Sequence, residues 1–292
     1  MSLQMQPRFS QVKTNGISLH VGEAGPEDGP LLILLHGFPE FWYGWRHQIG
    51  PFAEAGYRVI VPDQRGYNLS DKPQGLQAYM LDNLAGDVIG LADHYGAERF
   101  FLAGHDWGSI AGWWTAQNYP DRVRRYVALS AGHPAVYVDQ IRHSWAQRLK
   151  SYYVALFQIA WLPEAMMRRS NFKLLAGAVS ATAKPGLVSA EDLERYREAW
   201  RQPGALTAMV NWYRAIRLAK LEAPDAYRIR PPTLMVWGMK DIYGGLPLAE
   251  GSVKLCDRGE LLRLDEATHW TLTDEAERVT GAMLDFYVYA KD

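Results

Sequence analysis

An aspartate at position 106 lies in a short glycine-flanked motif, Gly104-His105-Asp106-Trp107-Gly108. An apolar run typical of a buried strand precedes the motif, and a helical pattern follows it. The glycines permit a tight strand-to-helix turn that lifts the central side chain above the sheet. A carboxylate there is suited to displacement at a saturated carbon, because the alkyl ester that it forms can be hydrolysed at its own carbonyl. The alternative is that Asp106 is only a turn residue or a helix N-cap.

An acid and a histidine follow two later strand-like runs. Asp241 follows the run at residues 233–237 in the sequence Gly238-Met239-Lys240-Asp241, and His269 comes after the last run. Together with Asp106 they give a nucleophile, an acid and a base in chain order. Asp265 or Glu266 could replace Asp241 as the partner of the histidine. The spacing therefore predicts a catalytic triad at one edge of a sheet.

Backbone N–H groups near the predicted nucleophile could stabilise a negative charge. A loop with glycine and proline follows the run at residues 31–35, and it can aim the N–H of Phe38 toward the site. The N–H of Trp107 follows the nucleophile directly. These two groups are the predicted oxyanion hole. In the same loop, Glu40 either orients a water molecule or closes a surface turn.

The elements that must position these residues alternate between strand and helix. Amphipathic helical spacing occurs at residues 81–92 and 279–286. Such alternation predicts a mostly parallel sheet with right-handed crossovers. From about residue 135 to residue 228 the pattern is helical without a convincing strand, which predicts a helical insertion at the carboxyl edge of the sheet. The strand-like runs are residues 17–21, 31–35, 58–61, 100–103, 127–130, 233–237 and 261–264.

Composition fits one large α/β domain or one domain with an insertion. The chain has 292 residues, 48% of them hydrophobic, and a net charge of −1, so nothing favours nucleic acid or an anionic membrane surface as a partner. A lone cysteine, Cys256, suits a reducing compartment. The first residues lack a basic stretch followed by an apolar run, and no run of 18 apolar residues occurs. We therefore expect a cytoplasmic protein.

Basic residues are concentrated in the predicted insertion. Residues 137–220 contain 13 Lys or Arg against 6 Asp or Glu, whereas the rest of the chain has 18 against 26. A basic insertion could attract an anionic substrate. Solvated helix faces are the simpler interpretation, because a sequence does not show clustering in space.

The motifs together resemble the soluble epoxide hydrolases of the α/β-hydrolase superfamily over nearly the whole chain. This resemblance implies an α/β-hydrolase fold, with a mostly parallel central sheet flanked by helices and an all-helical lid inserted after the sixth core strand. Residues 1–134 and 229–292 would form the core, and residues 135–228 the lid. The motifs that carry it are His36-Gly37-Phe38-Pro39, Asp63-Gln64-Arg65-Gly66-Tyr67, the glycine-flanked motif around Asp106, Trp237-Gly238-x-x-Asp241 and His269-Trp270.

Members of this family carry two lid tyrosines that hold the epoxide oxygen. Tyr153 precedes an aromatic-Gln pair, Phe157 and Gln158, by the expected interval, and Tyr213 lies in an Asn-aromatic-Tyr-Arg run. The resemblance therefore implies that Tyr153 and Tyr213 donate hydrogen bonds to the departing oxygen.

The resemblance also implies a reaction without a metal or cofactor, in which a small apolar epoxide and water give a vicinal diol through an aspartyl ester. Aromatic residues near the motifs are expected to bind the apolar substrate. These substrate-binding candidates are Trp42, Phe157, Trp212 and Trp270. Nucleic acid and membrane insertion are not expected, and a homodimer is left open.

Three other functions compete with this interpretation. Haloalkane dehalogenases share the aspartate nucleophile, but their halide site usually adds an Asn or Trp donor, and the position of that Asn is occupied here by Phe38. Fluoroacetate dehalogenases place arginines just after the nucleophile, where this chain has Ser109, Ile110 and Ala111. A non-catalytic ligand-binding protein of the same fold is the third alternative, and the retained triad disfavours it.

Overall fold

A single eight-stranded sheet forms the centre of the protein in the computed structural model, which describes residues 7–288. The segment used above to argue against a targeting sequence, residues 1–6, lies outside the described residues. The strands are β1 (Arg8–Thr14), β2 (Ile17–Ala24), β3 (Leu31–Leu35), β4 (Arg58–Pro62), β5 (Phe100–His105), β6 (Val123–Leu129), β7 (Thr233–Gly238) and β8 (Gly259–Leu264).

Strand order in the sheet is β1-β2-β4-β3-β5-β6-β7-β8. The pairs β1·β2 and β2·β4 are antiparallel, and every pair from β4 to β8 is parallel. β3, β5 and β7 are buried along their full length, as expected for parallel strands covered on both faces. The carboxyl ends of β3, β5, β7 and β8 therefore meet at one edge, where open α/β sheets bind ligands.

Helices cover both faces of this sheet, which confirms the predicted fold class. Within residues 7–288, four short 3₁₀ helices supplement them at residues 42–45, 76–79, 216–218 and 224–226. The α-helices in the described part of the chain are α1 (Arg46–Glu54), α2 (Leu81–His94), α3 (Trp107–Asn118), α4 (Pro134–His143), α5 (Trp145–Lys150), α6 (Tyr152–Phe157), α7 (Leu162–Ser180), α8 (Ala190–Arg201), α9 (Ala205–Ala215), α10 (Leu246–Val253), α11 (Thr271–Asp274) and α12 (Ala276–Val288).

The first strand was not predicted. Along β1 only Val12 is buried, so the hydrophobic alternation that marks a strand is missing. The signal that could have found it is the pair Asn15 and Gly16, which joins β1 to β2 with φ values of 48° and 77°. Both values suit a two-residue hairpin turn that favours Asn-Gly.

Six α-helices, α4 to α9, connect β6 to β7, and residues 130–232 contain no strand. We call residues 130–232 the helical segment. The boundaries at residues 135 and 228 that the resemblance implied stay a prediction. α7 contains a break at residues 169–172, where Ser170, Asn171 and Phe172 have positive φ. Among residues 7–288, no helix combines the length and the apolar character that a membrane span requires.

Candidate active site

Asp106 occupies a sharp turn between β5 and α3. Its φ and ψ are 51° and −117°, a combination that L residues rarely adopt. A Cβ on Gly104 would lie 2.2 Å from the carbonyl oxygen of Gly108, and a Cβ on Gly108 would lie 2.2 Å from that of Leu35. Both flanking glycines are therefore required by the close approach of the backbone. This turn places the carboxylate of Asp106 in a large cavity beyond the sheet.

The three residues of the predicted triad lie together at the carboxyl edge. Nε2 of His269 is 3.5 Å from Oδ2 of Asp106, and its Nδ1 is 2.8 Å from Oδ2 of Asp241. The other oxygen of Asp241 accepts hydrogen bonds from the N–H groups of Tyr243, at 2.7 Å, and Gly244, at 3.0 Å. Asp241 is thereby held by the backbone, and it orients the imidazole so that Nε2 faces Asp106.

Neither alternative partner of the histidine is bound to it. Asp265 and Glu266 are exposed. The carboxylate of Glu266 forms an ion pair with Lys240. Asp241, which is only 5% exposed, is the acid that contacts the ring.

Charges within the cluster set its protonation. Burial by itself raises the pKa of Asp106, but His269 and the N–H of Phe38 outweigh burial and hold this pKa below its ordinary value. Burial likewise lowers the pKa of His269, and the carboxylates of Asp241 and Asp106 outweigh it and raise this pKa well above its ordinary value. The resting site therefore pairs a carboxylate with an imidazolium.

The loop after β3 contacts the carboxylate directly. The N–H of Phe38 donates a hydrogen bond to Oδ1 of Asp106 at 2.8 Å. A Cβ on Gly37 would lie 2.5 Å from the Cβ of Asp106, so only glycine permits this approach. Trp107 is the first residue of α3, where N–H groups have no partner within the helix. The N–H of Phe38 therefore contacts the carboxylate, and the part of Trp107 in the oxyanion hole stays a prediction.

Two tyrosines from the helical segment line the same cavity. Tyr153 belongs to α6 and Tyr213 to α9, and their ring centroids are 6.0 Å apart. Burial first, and then neighbouring acidic groups including Asp106, raise the pKa of both phenols well above the ordinary value. Their hydroxyls therefore stay protonated and able to donate. Phe157 packs edge-on against both rings, at 5.7 and 4.9 Å.

The cavity has a volume of about 1190 Å³ and is lined by Asp106 and His269 of the triad and by the helical segment. Phe157 and Trp270 line it, as expected for substrate-binding residues. Most of its other walls are apolar, including Leu156, Met167 and Leu175. Such a lining suits an apolar ligand with a few polar groups that fix its orientation.

Two of the four aromatic candidates lie elsewhere, so their predicted contact with the cavity is wrong. Trp212 is buried, and its Nε1 donates a hydrogen bond to the carbonyl of Arg65 at 3.1 Å. Its neighbour Tyr213, about 100° further round α9, lines the cavity instead. The ring of Trp42 packs against that of Phe9, with centroids 4.9 Å apart, and does not line the cavity.

Glu40 does not close a surface turn, since only 4% of it is exposed. Its Oε1 accepts a hydrogen bond from the hydroxyl of Tyr196 at 2.8 Å, and its Oε2 lies 2.9 Å from Nδ1 of His105. Nε2 of His105 in turn donates to the carbonyl oxygen of His269 at 2.9 Å. The imidazole of His105 thus connects the carboxylate of Glu40 to the backbone of His269, the predicted base.

Tyr243 is a residue of the site that the motifs did not predict. Its ring lies 5.0 Å from that of His269 and 5.7 Å from that of Tyr153, and it lines the cavity. Its N–H also binds Asp241, as described above. An aromatic residue two positions after the predicted acid was the available signal.

Comparison with known proteins agrees with this geometry. Residues 30–276 match the family described as alpha/beta hydrolase fold. The chain is 46% identical to the AB hydrolase superfamily protein YfhM of Bacillus subtilis (strain 168), over 94% of this chain and 96% of that protein. It is 36% identical to epoxide hydrolase 4 of Homo sapiens, over 95% of this chain and 78% of the human protein.

Solved structures of epoxide hydrolases are also similar to this chain. The crystal structure of a Bacillus megaterium epoxide hydrolase in complex with an inhibitor superposes with a TM-score of 0.86 at 30% identity. The match covers 95% of this chain and 99% of that one. The similarity therefore extends over the sheet and the helical segment together.

Proposed function

The chain belongs to the epoxide hydrolases of the α/β-hydrolase superfamily, and we propose that it opens an apolar epoxide to a vicinal diol through an ester on Asp106. The observation that carries the mechanism is a carboxylate at the strand-to-helix turn, with an imidazole 3.5 Å away and two tyrosines in the same cavity. A carboxylate can displace the oxygen of an epoxide, and the resulting ester can be cleaved by water.

In the first step, one oxygen of Asp106 attacks a ring carbon. Oδ1 is held by the N–H of Phe38, which leaves Oδ2 to form the new bond. The carbon–oxygen bond of the ring breaks as that bond forms. Tyr153 and Tyr213 donate hydrogen bonds to the departing oxygen, and one of these phenols passes its proton to that oxygen, which becomes a hydroxyl. The phenol regains a proton when ester hydrolysis releases the carboxyl group of Asp106 and this group ionises again.

In the second step, His269 activates water. Esterification removes the negative charge of Asp106 and with it one of the two carboxylates that raise the pKa of His269. The imidazole therefore loses its proton more readily and can accept one from water. The water oxygen attacks the carbonyl carbon, and the N–H groups of Phe38 and Trp107 stabilise the negative charge on Oδ1. The bond from that carbon to Oδ2 breaks, and the diol leaves with a proton from His269.

Turnover of four compounds tests the proposal. We expect diol from styrene oxide and from an aliphatic epoxide, and no halide from 1-bromobutane or fluoroacetate. In a single turnover in ¹⁸O-water, the label should enter the Asp106 carboxylate and not the diol, because water attacks the enzyme ester. In the turnover assay, release of halide alone would favour a dehalogenase, and no reaction with any of the four compounds would favour a binding protein. In the isotope experiment, label only in the diol would show direct hydration of the epoxide.

The two steps should respond differently to acid. Below the pKa of His269 the imidazole is protonated and cannot accept a proton from water, so ester hydrolysis should slow as the pH falls. Alkylation needs only ionised Asp106, whose lowered pKa keeps it charged further into acid. We therefore expect the ester to accumulate in acid, in rapid-mixing measurements of both steps between about pH 5 and pH 9.

Parallel loss of both steps over that range would contradict the assignment of His269 to the second step alone. Formation of the ester neutralises Asp106 and so lowers the pKa of His269 relative to the resting enzyme. We therefore expect ester hydrolysis to continue at pH values below the pKa that His269 has in the resting enzyme.

A further inference from the structure

The aromatic-Gln pair after Tyr153 and the Asn-aromatic-Tyr-Arg run around Tyr213 bind each other. Nε of Arg214 donates a hydrogen bond to the carbonyl oxygen of Phe157 at 2.9 Å. In the opposite direction, Nε2 of Gln158 donates a hydrogen bond to the carbonyl oxygen of Tyr213 at 3.1 Å. Both carbonyls lie in the last turn of a helix, α6 or α9, where carbonyl groups have no partner within the helix. Two reciprocal hydrogen bonds therefore join the ends of α6 and α9.

Arg214 has an acceptor for each of its five N–H groups. Besides the bond from Nε, its Nη1 and Nη2 donate to the two carboxylate oxygens of Glu164 at 2.6 and 3.1 Å. Nη2 also donates to the carbonyl oxygen of Ile159 at 2.7 Å, and Nη1 to Oδ1 of Asn211 at 3.4 Å. Arg214 and Glu164 are both buried, and Glu164 lies in the first turn of α7. One guanidinium thus connects α6, α7 and α9.

The three side chains that make these contacts lie outside the cavity wall. We call Arg214, Glu164 and Gln158 the clamp, and none of the three is among the residues that line the cavity. Tyr213 directly precedes Arg214 in α9, and Tyr153 lies about one helical turn before the end of α6 that the clamp binds. The clamp therefore holds the helix ends next to both phenols without contacting the substrate.

We propose that Arg214 is a positioning residue for ring opening. It fixes α6 against α9, so that the phenols of Tyr153 and Tyr213, with ring centroids 6.0 Å apart, reach one departing oxygen together. Misplacement of a catalytic group by about 1 Å can cost on the order of 10²-fold in rate, even when the altered residue is far from the chemistry. This role rests on the proposed function, because it acts through the hydrogen bonds of the two phenols to the epoxide oxygen.

The shape of the guanidinium matters more here than its charge. A buried ion pair contributes little net stability, since the cost of removing both charges from water offsets their attraction. The planar fork of Arg214, however, reaches a carboxylate and two carbonyl groups on different helices at once. A lysine ammonium is a point charge that lacks this fork. Arg214→Lys should therefore keep the ion pair with Glu164 and still lose the alignment of the two helices.

Rapid-mixing measurements of the two steps with styrene oxide test the proposal. The main variant is Arg214→Met/Glu164→Leu, which leaves no buried charge without a partner. We expect it to slow alkylation of Asp106 by about 10²-fold. Ester hydrolysis should stay within about twofold of the unaltered enzyme, because the phenols assist only the departing oxygen. Arg214→Lys should show the same selective loss, at unchanged charge.

The effect of the clamp should disappear when the phenols are absent. In the Tyr153→Phe/Tyr213→Phe enzyme, adding Arg214→Met/Glu164→Leu should slow alkylation by no more than about twofold, because no hydroxyl remains to be positioned. A role in folding alone would instead slow both steps, or would add its full effect to that of the tyrosine changes. Adduct formation followed by intact mass measures these slow reactions.

A variant of another arginine-carboxylate pair supplies the matched control. Nε and Nη2 of Arg58 contact Oε1 of Glu23 at 2.9 and 2.8 Å, and Nη1 donates to the carbonyl of Glu27 at 3.1 Å. Arg58 is the first residue of β4, so it lies at the amino edge of the parallel strands, opposite the cavity. Arg58→Met/Glu23→Leu should leave both rates unchanged, and thermal unfolding of every variant checks that it folds.

Gln158→Leu tests the clamp without altering any charge. It removes only the reciprocal hydrogen bond to Tyr213, and it should slow alkylation roughly fivefold while sparing ester hydrolysis. This variant decides the matter if Arg214→Met/Glu164→Leu does not fold.

Three results would overturn the positioning role of Arg214. These are unchanged alkylation in the clamp variants, equal slowing of both steps, and full additivity with the tyrosine changes. In each case the unaltered enzyme still forms the ester, so the proposed function stands. Absence of both ester and diol with the unaltered chain would reject the proposed function, and the positioning role with it.

Discussion

Replacing Asp106 by alanine is expected to abolish epoxide turnover, with a loss on the order of 10⁴-fold or more, because no other carboxylate of the cavity can form the ester. His269→Gln should also stop turnover but should act on the second step alone. The altered enzyme would still be alkylated at Asp106 and would fail to hydrolyse the ester. Intact mass after incubation with styrene oxide should therefore show an adduct for His269→Gln and none for Asp106→Ala.

Asp106→Asn is the conservative control, since it keeps the size of the side chain and removes the charge. It should show neither adduct nor turnover at early times. An active Asp106→Ala enzyme would move the chemistry to another residue. An inactive His269→Gln enzyme without an adduct would mean that the histidine is needed for alkylation as well.

Loss of the two tyrosine hydroxyls should slow ring opening. Tyr153→Phe or Tyr213→Phe should each reduce the alkylation rate while leaving ester hydrolysis little changed, because the phenols assist only the departing oxygen. General acid assistance contributes about 10²–10⁴-fold, and the double variant should lose at least that much. Rapid-mixing measurements of both steps on single and double variants would show it.

Tyr152→Phe supplies the matched control. Tyr152 is the neighbour of Tyr153 in α6, it is 72% exposed, and it should be dispensable for ring opening. Unimpaired alkylation in the double variant would refute the role of Tyr153 and Tyr213. It would also favour haloalkane chemistry, in which the leaving halide needs no proton.

Much of the fold and the centre of the site could be predicted from the sequence. Strands of the parallel sheet carry continuous apolar runs, and residues 81–92 show the spacing of α2 because one face of that helix is buried. Glycines around Asp106 reveal a turn, since their positions do not admit a Cβ. Asp241 and His269 follow adjacent parallel strands, so the chain order alone brings them to one edge.

Sequence patterns did not predict elements whose hydrophobic spacing is weak. β1 lacks alternating burial because it is an edge strand with one buried residue, and so it was missed despite its Asn-Gly turn. Tyr153 and Tyr213 were predicted as lid tyrosines through a family resemblance. Their spacing alone did not separate them from other tyrosines of the helical segment.

Only the tertiary structure decided which side chains of distant segments meet. Glu40 and Tyr196 are 156 residues apart in the chain, and a hydrogen bond joins their side chains. The carboxylate of Glu40, a loop residue, is thereby buried and contacts His105. Trp212 binds the loop after β4 while Tyr213 lines the cavity, because the packing of α9 sets its rotation. Sequence determines what each segment prefers locally, whereas these contacts depend on how separate segments pack, and packing is a property of the whole chain.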